Sequence, residues 1–454
     1  MPRRGFLRVL LLALLSLGVE GVEIALGYYQ SCAQMSDSTM KCWGRNDYGQ
    51  LGDGTTTDRS TPVEVSGITN ARSIALGSYH SCAVLTDGTV KCWGYNYDGQ
   101  LGDGTTTDRT TPVEVSGITT ATSIALGRAH SCAVLTGGTV KCWGLNDVGQ
   151  LGDGTTNYYS PPVSVSGITT ATSIALGAYH SCAVLTGGTV KCWGRNDYGQ
   201  LGNGTTTDRA TPVEVSGIPN VTSIALGWHH SCALLTDGKM KCWGRNDYGQ
   251  LADSISGTAH PQGITGITTA TSLALGYSYS CSLLTDGKVM CWGDKYKGQL
   301  GDGTNTSSII PVEVSGITTA TSIAGGTQHV CATLMDGSVT CWGSNGRGGL
   351  GDGTTYDRTT PVEVSGLILA FPSPPPPPPA PSPPPPPPNG LIAGDAPPPP
   401  PPPPNGLIAG DAPPPPAPSP PNGLIAGDDY ESSAFRYSVV TALVVSFIIQ
   451  VQSI

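Results

Sequence analysis

Residues 122–167 read TSIALGRAHSCAVLTGGTVKCWGLNDVGQLGDGTTNYYSPPVSVSG, and this stretch recurs with small changes along most of the chain. The tryptophans that follow a cysteine, Trp43, Trp93, Trp143, Trp193, Trp243, Trp292 and Trp342, set its period at 50, 50, 50, 50, 49 and 50 residues. A fixed period of this size is the signature of a repeat architecture and outranks any local reading. Within the unit four short runs stand out: SIALG, SCAVLT, TVKCWG and, in most copies, TPVEVSG. Each is bounded by Gly, Asp, Asn or Pro and is too short for a stable helix, so each reads as a strand. Four antiparallel strands per unit, with seven units over residues 22–370, predict an all-β, seven-bladed β-propeller. A solenoid is the competing architecture. Closure is favoured because neither end carries an atypical capping repeat.

The cysteines obey the same period. All fourteen fall in Cys-x9-Cys pairs: Cys32–Cys42, Cys82–Cys92, Cys132–Cys142, Cys182–Cys192, Cys232–Cys242, Cys281–Cys291 and Cys331–Cys341. In the second unit Thr86-Asp87-Gly88 forms the turn, with Gly88 in the left-handed conformation. That hairpin pairs Leu85 with Thr89 and, stepping outward, Cys82 with Cys92. Directly opposed strand positions lie within disulfide range, so the turn and the spacing predict the same bridge. Zinc fits poorly, because two cysteines per unit leave two ligands missing. No Cys-x-x-Cys redox motif occurs. Disulfides in such number imply an oxidising compartment.

The unit Gly-x-x-His-Ser-Cys-Ala-Val-Leu-Thr-Asp-Gly-Thr-Val-Lys-Cys-Trp-Gly-x-Asn-x-x-Gly-Gln-Leu-Gly resembles the repeat of the regulator of chromosome condensation family, over about three quarters of the chain. The resemblance implies a seven-bladed propeller. For activity it implies less, since the family includes exchange factors for a nuclear GTPase and secreted propellers that bind other proteins.

The flanks differ in kind. Arg3, Arg4 and Arg8 precede the apolar run Val9–Leu17, with Ser16 and Gly18 spaced for cleavage, so residues 1–21 read as a signal peptide. Residues 371–428 alternate proline runs with three copies of Asn-Gly-Leu-Ile-Ala-Gly-Asp. Such runs form a polyproline II spacer rising about 3.1 Å per residue, a disordered stalk and not a domain. Ser-Pro-Pro-Pro-Pro at Ser373 and Ser382 resembles the extensin-like, hydroxyproline-rich proteins of plant and algal walls. Residues 429–454 end in an apolar run, readable as a membrane span or as a glycolipid-anchor signal. Asn203, Asn220 and Asn305 open glycosylation sequons. The expected location is secreted, cell-surface or cell-wall, with the membrane engaged through the C-terminal segment.

Net charge is −10, with no basic block beyond the extreme N-terminus, which argues against a nucleic-acid partner. Histidine recurs two positions before the first cysteine of a pair, at His80, His130, His180, His230 and His329; Gln30 and Tyr279 stand there in the first and sixth units. Those replacements fit a hydrogen bond locking neighbouring blades to backbone better than a metal ring. The loop Gly52–Asp58 is rich in oxygen but lacks the pattern of a hand-type calcium site. No nucleophile elbow, zinc-protease helix or phosphate loop occurs, so no catalytic residue, metal or cofactor is expected.

Seven copies also allow the chain to be compared with itself. Two kinds of position vary freely: the pair after the glycine of SIALG, and the residue after Trp-Gly. The first kind holds Tyr29, Tyr79, Arg128, Tyr179, Trp228, His229 and Tyr277; the second holds Arg45, Tyr95, Leu145, Arg195, Arg245, Asp294 and Ser344. Either these form a binding surface on one propeller face, or they drifted after duplication. Tyr, Trp and Arg are the types that dominate interface energetics. The reading is therefore a monomeric, non-enzymatic head for a protein or wall-glycan ligand. Guanine-nucleotide exchange on a small GTPase, implied by the resemblance alone, is the rival.

Overall fold

A computed structural model describes residues 23–253 and 257–368. The expected leader over 1–21, the stalk over 371–428 and the apolar end over 429–454 lie outside the described residues. Seven four-stranded antiparallel sheets form a ring, a seven-bladed β-propeller without helices among the described residues. Every sheet is made of four consecutive strands of one unit: blade 1 runs from Ile24 to Glu64, blade 2 from Ala71 to Glu114, and blade 7 from Ala320 to Ile368.

Blade 2 shows the local logic. Its strands are Ala71–Leu76, His80–Leu85, Val90–Gly94 and Arg109–Glu114, from the axis outward. The second and third pair with Cys82 opposite Cys92 and Val84 opposite Val90. Leu85 and Thr89 close the turn at 2.9 Å, with Gly88 at φ 80° as its left-handed residue. The second strand is buried along its whole length. The fourth has no fully buried position and carries Pro112, which suits an outer edge that donates to no further strand.

The fourth strand departs from its sequence expectation. It begins two residues before Thr111 and stops at Glu114, short of Gly117. The reason lies in its amides: Val115 N still donates to Val90 O of the third strand, but Ser116 N turns to Gly102 O, so the chain leaves the sheet edge there.

All seven bridges are formed, with Cα–Cα distances of 4.0–4.1 Å. Each closes a ten-residue separation and contributes roughly 2–3 kcal/mol by restricting the unfolded chain. The bridges are fully buried, and each packs with the tryptophan of the next blade. Cys82 and Cys92 share a cluster with Leu101, Val115, Ile118 and Trp143. The core is thus divided into seven inter-blade clusters, and no blade buries its apolar surface alone. The glycine in Gln-Leu-Gly makes this packing possible: a Cβ on Gly102 would lie 2.8 Å from the Trp143 indole nitrogen.

The ring closes as it propagates. Cys331 and Cys341 of blade 7 pack with Trp43 of blade 1. Gly353 N donates to Ser60 O at 3.0 Å, the counterpart of Gly54 N to Thr110 O. No strand is exchanged between sheets among the described residues, so closure uses the same contacts as the other blade junctions.

Candidate functional site

In an antiparallel blade, the connections after the first and third strands emerge on the same face. The two variable sets recognised in sequence occupy these connections. Backbone bonds join them pairwise: Arg45 N donates to Tyr29 O, Tyr95 N to Tyr79 O, Arg195 N to Tyr179 O and Arg245 N to His229 O, at 2.9–3.0 Å. Tyr29, Tyr79, Arg128, Tyr179, Trp228, His229 and Tyr277 therefore lie on one face, and all seven are half-buried.

Their burial comes from one another. Tyr28 packs edge-on to Tyr29 with centroids 4.3 Å apart and leans on Tyr79 at 5.4 Å. Trp228 reaches Tyr277 at 4.8 Å and His229 at 6.3 Å. Tyr28 and Trp228, from blades 1 and 5, meet at 6.2 Å although these blades are not neighbours in the ring. The paired positions Ser78, Ala129, Ala178, Ser278 and Thr327 are small and buried. These positions vary in sequence but are not free of packing: bulky and small side chains share the mouth of the axial channel. Beneath them Leu26, Leu76, Leu126, Leu176, Leu226 and Leu275 line a narrow cavity of about 90 Å³.

Arginines thread through the aromatic set. Arg45 lies 5.0 Å from the Tyr79 ring centre, Arg195 5.4 Å from Tyr179 and Arg128 5.2 Å from Tyr179. Arg128 also donates to the Tyr179 hydroxyl. Burial, reinforced by the charges of Arg195 and Arg245, lowers the pKa of His229 to about 4, so its ring is neutral at physiological pH. Tyr48, Tyr97 and Tyr158 join this face although neither variable set contains them. Self-comparison of the Asn-Asp-Tyr-Gly and Thr-Thr-Asp-Arg loops would have exposed Tyr97 and Tyr158 as departures.

The recurring histidines lock blades, but through a different partner from the backbone group expected. His80 Nε2 meets Ser131 Oγ at 2.9 Å, and His130, His180, His230 and His329 likewise meet Ser181, Ser231, Ser280 and Ser31 of the following blade. The substitutes do reach backbone: Gln30 Nε2 donates to Gly77 O, and Tyr279 Oη lies 2.7 Å from both Gly326 O and His329 O. No group of three metal-ligating side chains occurs among the described residues.

In the Gly52–Asp58 loop the carboxylate of Asp53 accepts from Thr55 N and Oγ1 and pairs with Arg59, while Asn46 bridges to Thr55 and Thr57 carbonyls. Asp58 in turn accepts from Asn46 N and Arg347, so the carboxylates of this loop are held by protein donors. Of the sequons, Asn220 and Asn305 are exposed, whereas Asn203 is half-buried with its carbonyl oxygen held by Thr205.

Sequence comparison matches the RCC1-like domain over residues 119–329 and regulator of chromosome condensation (RCC1) repeats over 42–84 and 87–134, with a second repeat profile over 22–50 and 71–100. Comparison with curated proteins returned no match. Among solved structures, yeast RCC1 (Prp20) bound to Kap60 is 21% identical, with 76% of this chain and 84% of that one covered and a TM-score of 0.65. Prp20p from Saccharomyces cerevisiae, in a study of its binding to Gsp1p and histones, is 21% identical over 76% and 86% of the two chains, TM-score 0.64. Human WBSCR16 is 25% identical over 71% and 94%, TM-score 0.65. The period, the blade architecture and these profiles agree: the chain belongs to the RCC1 repeat family.

Proposed function

We propose that this protein is a non-enzymatic interaction module displayed outside the cell, a disulfide-stapled propeller head that binds a partner protein through its aromatic face. The observation that carries this reading is the contiguous, half-exposed set formed by Tyr28, Tyr29, Tyr79, Trp228, His229 and Tyr277. Clustered Tyr and Trp that are partly desolvated before binding are the side chains from which interface hot spots are built. The extracellular side is supported by seven buried disulfides, which a reducing cytosol disfavours. In this account the proline-rich segment spaces the head from an anchored C-terminus.

The test uses the full chain in intact cells, labelled with a membrane-impermeant reagent and then cross-linked. Surface labelling is expected, together with a cross-linked partner that the double variant W228A/Y277A loses at least tenfold. Yeast Prp20p is described with Gsp1p as a binding partner. Labelling only after permeabilisation, with faster nucleotide release from a small GTPase on adding the chain, would replace this reading with nucleotide exchange.

A further inference from the structure

Three blades place an arginine after Trp-Gly, and each arginine has the same two companions. Arg45 pairs with Asp47 at 2.6 Å beneath the Tyr79 ring; Arg195 pairs with Asp197 at 2.6 Å beside Tyr179; Arg245 pairs with Asp247 at 2.6 Å, 5.0 Å from the Tyr198 ring centre. The chain thus shows how this face seats a guanidinium: one carboxylate two residues on, and a tyrosine face beside it.

The junction of blades 2 and 3 keeps the seat and lacks the occupant. Blade 3 retains the carboxylate, Asp147, but has Leu145 where the arginine stands in blades 1, 4 and 5. Blade 2 adds a second carboxylate, Asp98, at the place of Tyr48, Tyr198 and Tyr248. Among the described residues, neither Asp98 nor Asp147 has a cation within ion-pair distance. In place of the arginine is a cleft of about 370 Å³ lined by Tyr97, Asp98, Leu145, Asp147, Tyr158 and Tyr179. That volume lies at the lower end of the ~300–1,000 Å³ typical of small-ligand sites.

The cleft is built, not merely open. Asp98 is only 8% exposed and faces the cleft beside Tyr158. Tyr158 stands where other blades carry the loop aspartates Asp58, Asp108, Asp208 and Asp357, so both walls depart from the repeat together. Arg128 also borders the cleft, but its guanidinium is turned onto Tyr179. Burial raises the pKa of Asp98, the Tyr158 hydroxyl and the Arg128 charge oppose that rise, and the Asp147 charge adds a smaller one. An incoming cation would offset, by charge pairing, the cost that burial and the Asp147 charge place on the ionised Asp98 carboxylate. Two carboxylates oppose a phosphate or sulfate. An uncharged sugar would stack on the rings and leave the carboxylates unneutralised.

We propose that this cleft receives a basic side chain, arginine or lysine, from the partner protein. The side chain would supply from outside the cation that Arg195 and Arg245 supply from within. The proposal rests on the reading that the aromatic face binds protein, and it names one anchor of that contact.

The full chain is titrated calorimetrically with acetyl-Gly-Arg-Gly-amide, with its uncharged citrulline counterpart, with free L-arginine and with a cello-oligosaccharide. The arginine peptide is expected to bind at least tenfold more tightly than the citrulline peptide. L145R, which installs the chain's own guanidinium, is expected to reduce that binding at least tenfold, and D98N/D147N to weaken it comparably without adding bulk. Equal binding of the two peptides, undiminished binding by both variants, or binding of the saccharide alone would overturn the proposal. Free arginine binding as tightly as the peptide would overturn the assignment to a protein partner. If cross-linking in cells is lost in W228A/Y277A but kept in L145R and in D98N/D147N, the cleft proposal fails and the aromatic-face reading stands.

Discussion

The Nε2 of His80 lies 2.9 Å from the Oγ of Ser131 in the next blade, and the surrounding bonds assign the proton between them. The Ser131 hydroxyl donates its one hydrogen to Gln100 O at 2.9 Å, the carbonyl that also accepts from Trp143 Nε1 at 2.9 Å. Ser131 can therefore only accept from His80, which carries its hydrogen on Nε2. The Nδ1 atom is buried without a partner. Five such relays run around the ring, each tying a histidine and a glutamine or glycine carbonyl of one blade to a serine of the next.

Acid should loosen the ring through these histidines. Burial lowers the pKa of His80, His130 and His230 to about 3 and of His329 to about 4, and His180 also lies well below its ordinary 6.5. Between pH 6.5 and those values the unfolded chain binds protons that the native ring does not. Stability is therefore constant above about pH 6.5, falls as pH drops below it, and levels near the native values. Each histidine contributes on the order of 1 kcal/mol per pH unit in that window. H80Q, copying Gln30 of blade 1, should reduce the slope of stability against pH by about one proton. Denaturant midpoints between pH 7 and 4.5 measure it; an unchanged slope would refute the assignment.

Blade 6 offers an internal control. Tyr279 replaces the histidine there, and in blade 7 the corresponding serine is Val330, so both partners of the lost bond have changed together. Tyr279 Oη instead reaches Gly326 O and His329 O. Y279H alone should destabilise by about 2–3 kcal/mol, leaving a buried imidazole facing valine. Y279H/V330S should recover at least half of that loss. A double-mutant cycle read by chemical denaturation gives the coupling, and additive effects would contradict it.

Ala252 carries a strain the other blades avoid. It has φ 54° where Gly52, Gly102, Gly152, Gly202, Gly301 and Gly351 have φ 66–71°. A left-handed alanine costs ~1–2 kcal/mol, partly offset by the entropy a glycine would lose on folding. A252G should therefore raise stability by about 0.5–1 kcal/mol. G102A should lower it by more, because its Cβ meets the Trp143 indole. Thermal melts of the two variants decide the point, and a destabilised A252G would refute it.

The contacts inside one unit were legible in sequence, and those between units were mostly not. The Thr86-Asp87-Gly88 turn and the nine-residue cysteine spacing predict the observed register of Cys82 with Cys92, because a short hairpin leaves little freedom. The partner of His80 is fifty-one residues away in another blade, and only the closed ring brings it near. A signal existed all the same: Tyr279 and Val330 break the pattern in adjacent units. The variable loop residues were found by self-comparison, but their mutual packing depends on blades 1 and 5 meeting at the axis. The blade 2–3 cleft stayed hidden because its departures, Tyr97-Asp98, Leu145 and Tyr158, are scattered over three loops.

The location and role proposed for this propeller depend on oxidised cysteines, and intact mass measured on the full-length protein from its own cells tests them most directly. Thiols are blocked with an alkylating reagent at lysis under denaturing conditions, before and after reduction. The account predicts no alkylated cysteine before reduction and fourteen after it. Fourteen alkylated cysteines before reduction would contradict it, and the extracellular role with it.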